Sequence, residues 1–213
     1  VEEPGTGDKA RHTGPFEHDR PSLDNSLLFN YLNVNKLGIT LDLNSSTGRE
    51  LLLKLLESAD IFIYGGLVRD MENLRLGYKD VSLVNPRLVG TYLTPFGLTG
   101  PYRHWKSNEL VTAQMSGLAH GTPGGLSDLE KPPLKPGGRH GMMVAGLYGA
   151  VGTMHALFAR DASGTGQEVD VSELEALTSQ QFGGITRYAF SKEPNVRGEG
   201  QAGRLYPAKD GTL

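Results

Sequence analysis

The sequence has 213 residues, enough for one large domain or one and a half small ones. Lys and Arg number 21 against 24 Asp and Glu, so the slightly acidic balance gives no electrostatic footprint for nucleic acid or an anionic membrane. There are no cysteines, which excludes disulfides, thiolate metal sites and cysteine nucleophiles and fits a cytoplasmic location. No apolar run approaches the roughly 20 residues that span a bilayer, and no secretory leader is recognised.

The first half of the chain predicts parallel α/β structure. Residues 39–43 alternate as a strand, residues 48–58 form an amphipathic helix after a run of capping residues, and residues 60–64 are a short buried strand. A further β-rich run covers residues 88–93. We therefore expect these three strands in one parallel sheet, flanked by the helix and joined by right-handed crossovers.

The second half continues this alternation around a long apolar helix. A helix is predicted at residues 107–120, a Gly- and Pro-rich loop at 121–138 and the apolar helix at 142–160. A strand at 167–171 then leads to a helix that Ser172 caps.

Small residues and one histidine stand out in the apolar helix. Gly146, Gly149 and Gly152 each cost about 1 kcal/mol against alanine in a helix, which predicts close packing on a neighbour. His155 lies among apolar residues, so we interpret it as a core residue without a catalytic role.

Several motifs recur in an order that is more specific than any one of them. They include Phe96-Gly97-Leu98-Thr99-Gly100-Pro101-Tyr102 and Gly164-Thr165-Gly166-Gln167-Glu168-Val169-Asp170-Val171-Ser172, together with residues 1–11, 33–36, 40–43, 47–52, 76–78, 85–89, 114–117 and 145–147. Over nearly the whole chain these segments resemble the family III CoA-transferases, the group that contains formyl-CoA transferase, carnitine CoA-transferases and α-methylacyl-CoA racemase.

The resemblance implies a fold, an assembly and a reaction. It implies a Rossmann-like α/β domain with a parallel sheet, in an interlinked dimer. We expect residues 1–120 to form this domain, 121–140 a Gly/Pro-rich connection, 141–190 its helix-strand-helix continuation and 191–213 the start of a linker to a smaller domain. Both ends are abrupt, so a divergent member or a fragment of a longer protein is expected. No metal is implied.

The family reaction moves CoA between carboxylic acids, with coenzyme A entering as an acyl-CoA. By resemblance, an aspartate attacks the thioester to give a mixed anhydride and then an aspartyl-CoA thioester. That aspartate lies four residues before the glycine of an Ala-Gly-Leu element, which is Met142 here, and a second count of 21 residues back from Ser163 reaches Met142 as well. A thioether cannot carry the acyl group, so the catalytic residue is unknown, with Glu109 as a possible contributor. The racemase alternative weakens because its histidine position is Asn108.

The resemblance also implies residues that contact CoA. Arg11 matches an arginine near the CoA phosphates, and a guanidinium suits bidentate phosphate contact; otherwise it is a solvated loop arginine. Lys36 contacts the nucleotide or caps the approach to a strand. Lys106 and Glu109 lie three apart at a helix start, at the CoA and acyl end of the site or as a surface ion pair. An arginine usual in the family is Asn73 here.

Two hypotheses follow. The first is an enzyme that uses an acyl-CoA and a carboxylic acid, with its chemistry displaced to another residue or supplied by a partner subunit. The second is a catalytically silent CoA-binding or structural subunit paired with an active paralogue. Either a homodimer or a heterodimer is expected, with no nucleic acid or membrane partner.

Overall fold

The computed structural model describes residues 1–122, 130–194, 196–197, 207–208 and 211–212. Its helices are α1 (Leu27–Leu32), α2 (Ser46–Leu56), α3 (Val68–Leu74), α4 (Tyr78–Val81), α5 (Glu109–Met115), α6 (His140–Ser163), α7 (Glu173–Ser179) and α8 (Phe182–Ser191). Its strands are β1 (Ile61–Gly65), β2 (Val89–Thr94), β3 (Glu168–Ser172), β4 (Pro207–Ala208) and β5 (Gly211–Thr212). The chain divides into two compact units, a smaller one of Val1–Ala59 with Leu83–Asn85 and a larger one of Asp60–Ser82 with Pro86–Leu213. The boundaries predicted near residues 120, 140 and 190 stay predictions.

The larger unit contains a three-stranded parallel sheet in the order β1-β2-β3. This confirms the predicted parallel α/β class and the strands at 60–64, 88–93 and 167–171. The central strand is the most buried, and Val89 and Tyr92 are fully enclosed. Its β-branched and aromatic residues favour a strand, which is why β2 is recognisable from the sequence as a β-rich run.

The predicted strand at 39–43 is wrong. This segment lies in the smaller unit and makes one isolated parallel bridge, between Glu2 and Thr40. Glu2 N–H donates to the Ile39 carbonyl, and Leu41 N–H donates to the Glu2 carbonyl. The next donor in a parallel ladder would come from Pro4, which has no N–H, so the pairing ends there.

Helix α6 packs on the sheet through its small residues, as predicted at two of three positions. A β-carbon on Gly149 would lie 2.8 Å from Leu93 Cδ2, and one on Gly152 would lie 2.8 Å from Val169 Cγ1. The prediction is wrong for Gly146, which has nothing within 4 Å of an added β-carbon. His155 is also not a core residue; its side chain is exposed, because it lies on the face of α6 turned away from the sheet.

The predicted helix starts are confirmed by their caps. Ser45 Oγ accepts from Gly48 N–H at the start of α2, and Ser172 Oγ accepts from Glu175 N–H at the start of α7. The helix predicted at 107–120 is shorter: α5 stops at Met115, and Gly117 with a φ of 80° separates it from a 3-10 turn. A left-handed residue of this kind is a common way to end a helix.

Helix α6 has the length and composition of a membrane span, contrary to the expectation from the sequence. It has 24 residues, and an 18-residue window reaches a mean hydropathy of 1.4. Among the described residues it is the one helix of this kind. Length and composition alone do not separate such a helix from a core helix, and the inner face of α6 packs on β2 and β3.

Candidate functional site

The first turn of α6 lies at the carboxyl ends of the sheet strands. Along α6, Gly149 packs on Leu93 and Thr153 hydrogen-bonds Thr91, so the helix runs opposite to β2 and its start points past the end of that strand. Ligands of open parallel sheets bind outside these carboxyl ends. This edge of the larger unit is therefore the place to look for a site.

Glu109 from α5 caps α6. Its Oε1 accepts a hydrogen bond of 2.7 Å from Gly141 N–H, and its Oε2 lies 3.6 Å from Lys135 Nζ. The residue in the N-cap position of α6, Arg139, makes no side-chain capping bond. Because the first N–H groups of a helix lack internal partners, a carboxylate at this place is favoured by both hydrogen bonding and the helix dipole.

Met142 is the residue after Gly141, whose N–H donates a hydrogen bond to Glu109. Its side chain is 54% exposed, and its sulfur lies 3.7 Å from an Arg139 guanidinium nitrogen. The structure thus brings Gly141, the residue before Met142, into contact with Glu109. The catalytic assignments of Met142 and Glu109 stay predictions.

A second carboxyl, missed in the sequence, reaches the same turn. Glu173 Oε1 lies 2.5 Å from Thr112 Oγ1 of α5, and a β-carbon on Gly141 would lie 2.6 Å from the same Oε1. Burial raises the pKa of Glu173, the Thr112 hydrogen bond lowers it, and the negative charge of Glu109 raises it further. The capping signal at Ser172 predicts that Glu173 is the first residue of α7. No local sequence pattern predicts that its side chain contacts α6.

Arg11 lies in the smaller unit and is occupied by internal partners. Its Nε and Nη2 contact the two carboxylate oxygens of Glu2 at 2.6 and 2.9 Å, and its Nη1 donates to the Leu23 carbonyl at 2.9 Å. The guanidinium also stands over the Phe29 ring, 3.7 Å from its centre. Hydrogen bonding from Arg11 lowers the pKa of Glu2 to about 2. A phosphate at Arg11 would compete with Glu2, and the assignment to CoA stays a prediction.

The two predicted lysines differ in their surroundings. Lys36 Nζ donates to the Leu32 carbonyl and to Asn33 Oδ1 at 2.7 and 3.0 Å, so it satisfies the carboxyl end of α1. Lys106 is exposed on the segment before α5, in the same unit as Glu109 and Met142. Arg11 and Lys36 belong to the smaller unit.

The described residues contain no group of three or more histidine, aspartate or glutamate side chains that could hold a metal ion.

The model of CoA-transferase family III matches residues 1–213 of this chain. The chain belongs to this family.

Named relatives within CoA-transferase family III are similar over much of the chain. The succinyl-CoA:(R)-benzylsuccinate CoA-transferase subunit BbsE of Thauera aromatica is 36% identical over 83% of this chain and 42% of its own length. The formyl-CoA:oxalate CoA-transferase of Rhodopseudomonas palustris strain HaA2 is 37% identical over 98% of this chain and 52% of its own length. The chain therefore spans about half the length of these relatives or less.

A solved family structure supports the same fold. A CAIB/BAIF family protein from Brucella suis superposes with a TM-score of 0.82 at 25% identity, over 99% of this chain and 56% of that one. The α/β fold with a parallel sheet that the resemblance implies is thereby confirmed, while the interlinked dimer stays a prediction. The α6 start of this chain belongs to a CoA-transferase family III fold.

Proposed function

We propose that the protein binds an acyl-CoA and serves the transfer of CoA between carboxylic acids. The observation that carries this proposal is the match to CoA-transferase family III over residues 1–213, with relatives whose names include CoA-transferase. Coenzyme A enters as the acyl-CoA substrate, with Arg11, Lys36 and Lys106 as its proposed contacts. A cytoplasmic location, a homodimer or a heterodimer with a paralogous subunit and the absence of a metal remain parts of the same proposal.

The aspartate nucleophile of this reaction is absent from the proposed position. In the reaction that the resemblance implies, a carboxylate oxygen bonds to the acyl carbon and CoA leaves as a thiolate. The thiolate then attacks the enzyme's own carbonyl carbon in the anhydride, which forms the enzyme-bound thioester and releases the acyl group as a free carboxylate. Met142 offers a thioether, which supplies neither the oxygen nor the second carbonyl.

Glu109 is poorly placed to replace it. Both of its carboxylate oxygens are engaged, one by Gly141 N–H and one by Lys135, and its side chain is 14% exposed. A nucleophile must bring its oxygen within about 3 to 3.5 Å of the thioester carbon, and an attack by Glu109 would compete with its contacts to Gly141 and Lys135.

A second candidate function is a catalytically silent CoA-binding or structural subunit that works beside an active paralogue. The observation that favours it is Met142 in the nucleophile position, and the name of the relative from Thauera aromatica includes the word subunit. A transfer assay on the full-length protein, with and without a paralogous chain that has aspartate at this position, separates the two candidates. Activity only in the mixture supports the silent subunit.

Mass spectrometry of the intact full-length protein tests the nucleophile. After incubation with succinyl-CoA, we expect no covalent acyl or CoA adduct on the natural protein and an adduct on Met142→Asp. Met143→Asp is the matched control, because Met143 is also half exposed but lies one residue on, about 100° around the helix. A glutamyl-CoA or aspartyl-CoA adduct on the natural protein would overturn the assignment of Met142.

A further inference from the structure

Glu173 is a half-buried carboxyl that the proposed function does not use. It opens α7, yet its side chain reaches between two other helices, to Thr112 of α5 and to Gly141 of α6. A β-carbon added to Gly141 would lie 2.6 Å from Glu173 Oε1 and 3.3 Å from Glu109 Cγ. Two carboxyl groups thus converge on one glycine in the first turn of α6.

The charges around these carboxyls are unequal. Glu109 has a cation, Lys135, and the Gly141 N–H as partners. Glu173 has no ion pair with a described residue, and the group that contacts it from α5 is the neutral Thr112 hydroxyl. Its place at the start of α7 favours negative charge, but burial and Glu109 raise its pKa above the ordinary value.

We propose that Glu173 is a positioning residue whose proton sets the conformation of the α6 start. While Glu173 is a neutral acid, Glu109 remains on the Gly141 N–H. When Glu173 releases its proton to solvent, two negative charges face each other across Gly141, and Glu109 moves from this N–H toward Lys135.

The physical basis is the like-charge repulsion of two partly buried carboxylates, which water screens weakly. Glu109 is the one to move because its Oε2 already lies 3.6 Å from Lys135, so the displaced carboxylate keeps a cationic partner. Glu173 keeps its hydrogen bond to Thr112 in both forms, because the hydroxyl can donate to the carboxylate or accept from the acid. The freed Gly141 N–H lies next to Met142. The conformation of the proposed acyl end of the site therefore also depends on pH.

The test is a pH titration of the Gly141 amide by NMR in the full-length protein without any CoA compound. Within this sequence, labelling His carbonyls with ¹³C and Gly amides with ¹⁵N selects the His-Gly pairs, which are His120-Gly121 and His140-Gly141. Gly121 is an internal control, since it is exposed and has nothing within 4 Å of an added β-carbon. We expect the Gly141 amide to show a transition with a midpoint above that of an ordinary glutamate, which the Gly121 amide, also preceded by a histidine, does not share and which Glu173→Gln removes.

Three variants complete the test. Glu173→Gln should remove this transition of the Gly141 amide. Glu109→Gln should move the midpoint of the Glu173 carboxyl, followed by ¹³C NMR, down toward the ordinary value. The ¹³C signal of the Glu173 carboxyl is identified by its loss from the glutamate signals in Glu173→Gln and again in Glu173→Asp. A Gly141 transition that persists unchanged in Glu173→Gln, or a natural-protein midpoint at or below that of an ordinary glutamate, would overturn the proposal. The second outcome needs only the natural protein, so it decides even where a variant does not fold. No CoA compound is present, so the result is independent of the proposed function.

Discussion

Two glutamates, one in each unit, have opposite responses to their surroundings. Glu2 in the smaller unit is held by the guanidinium of Arg11, which lowers the pKa of its carboxyl to about 2. Glu173 in the larger unit has a hydroxyl and a second carboxylate as neighbours, and burial raises its pKa. The residue type is the same, and the sign of the shift depends on which partner the fold supplies.

The difference between these two surroundings also distinguishes Arg11, whose charge is used within the fold, from the carboxyls at the α6 start, which are functional candidates. Arg11, the residue that resembles a phosphate contact, has partners for its Nε, Nη1 and Nη2 within its own unit. At the α6 start, Glu109 and Glu173 converge on one glycine, and among the described residues the cation there, Lys135, forms an ion pair with Glu109 and not with Glu173. Shifted carboxyl pKa values without full charge compensation are more typical of functional sites than satisfied ion pairs are.

The largest effect is expected from Gly141→Ala, which places a methyl group between the two carboxyls. The added carbon would meet Glu173 Oε1 at 2.6 Å and Leu177 Cδ1 at 3.2 Å, so the free energy of unfolding should fall by about 1 to 3 kcal/mol. Gly146→Ala is the matched control on the same helix: nothing lies near it, and better helix propensity should stabilise the protein by up to about 1 kcal/mol. Urea unfolding measures both, and equal effects of the two would remove Gly141 from the site.

The next effect is expected from Arg11→Met, which keeps an apolar stem but removes the cation. Glu2 then loses two charged hydrogen bonds, and the free energy of unfolding at neutral pH should fall by about 1 to 3 kcal/mol. A lowered carboxyl pKa stabilises the fold above the ordinary glutamate pKa, and this contribution disappears as the pH falls through about 2. Urea unfolding across pH should show the deficit of the variant shrinking in acid. A deficit independent of pH would show that the ion pair does not cause it.

A smaller effect of opposite sign is expected from Glu173→Gln. A raised carboxyl pKa gives a contribution to stability that is full below the ordinary glutamate pKa and is lost as the pH rises through the folded-state pKa. The variant should therefore gain stability relative to the natural protein as the pH rises. Glu2→Gln should instead lose relative stability over the acidic range as the pH rises. Parallel curves for the two variants would break the comparison.

The smallest effect is expected from Lys36→Gln. Its two hydrogen bonds at the end of α1 are exposed, so unfolding should change by less than about 0.5 kcal/mol. Calorimetric binding of coenzyme A to the full-length protein gives the functional measurement. A weaker affinity with unchanged stability supports the proposed nucleotide contact, and an unchanged affinity assigns Lys36 to the helix end alone.

The candidate site was predictable where it depends on counting along one helix. The spacing from Gly146 and from Ser163 places Met142 at the start of a helix, and α6 does begin at His140. Glu109 is the first residue of α5, as predicted for a helix start, whereas Lys106 lies on the segment before the helix. The contact of Glu173 with Gly141 was not predictable, because it joins residues of different helices and depends on how closely these helices pack.

The sequence by itself determined the local elements of this protein. A short buried run identifies β1 and a β-rich run identifies β2, while serines before helical patterns identify the starts of α2 and α7. These signals are local, since a cap or a buried run is set by residues a few positions apart.

Only the tertiary structure decided which elements join and which charges meet. Residues 39–43 alternate like a strand, yet they make one bridge, to Glu2, because Pro4 offers no further donor. Gly146 and Gly149 look alike in sequence, but only Gly149 faces the sheet. Glu2 and Glu173 are the same residue, and the neighbour that the fold supplies determines which of them gives up its proton more readily. Packing and electrostatics join residues distant in sequence, so they are fixed by the folded arrangement and not by any local pattern.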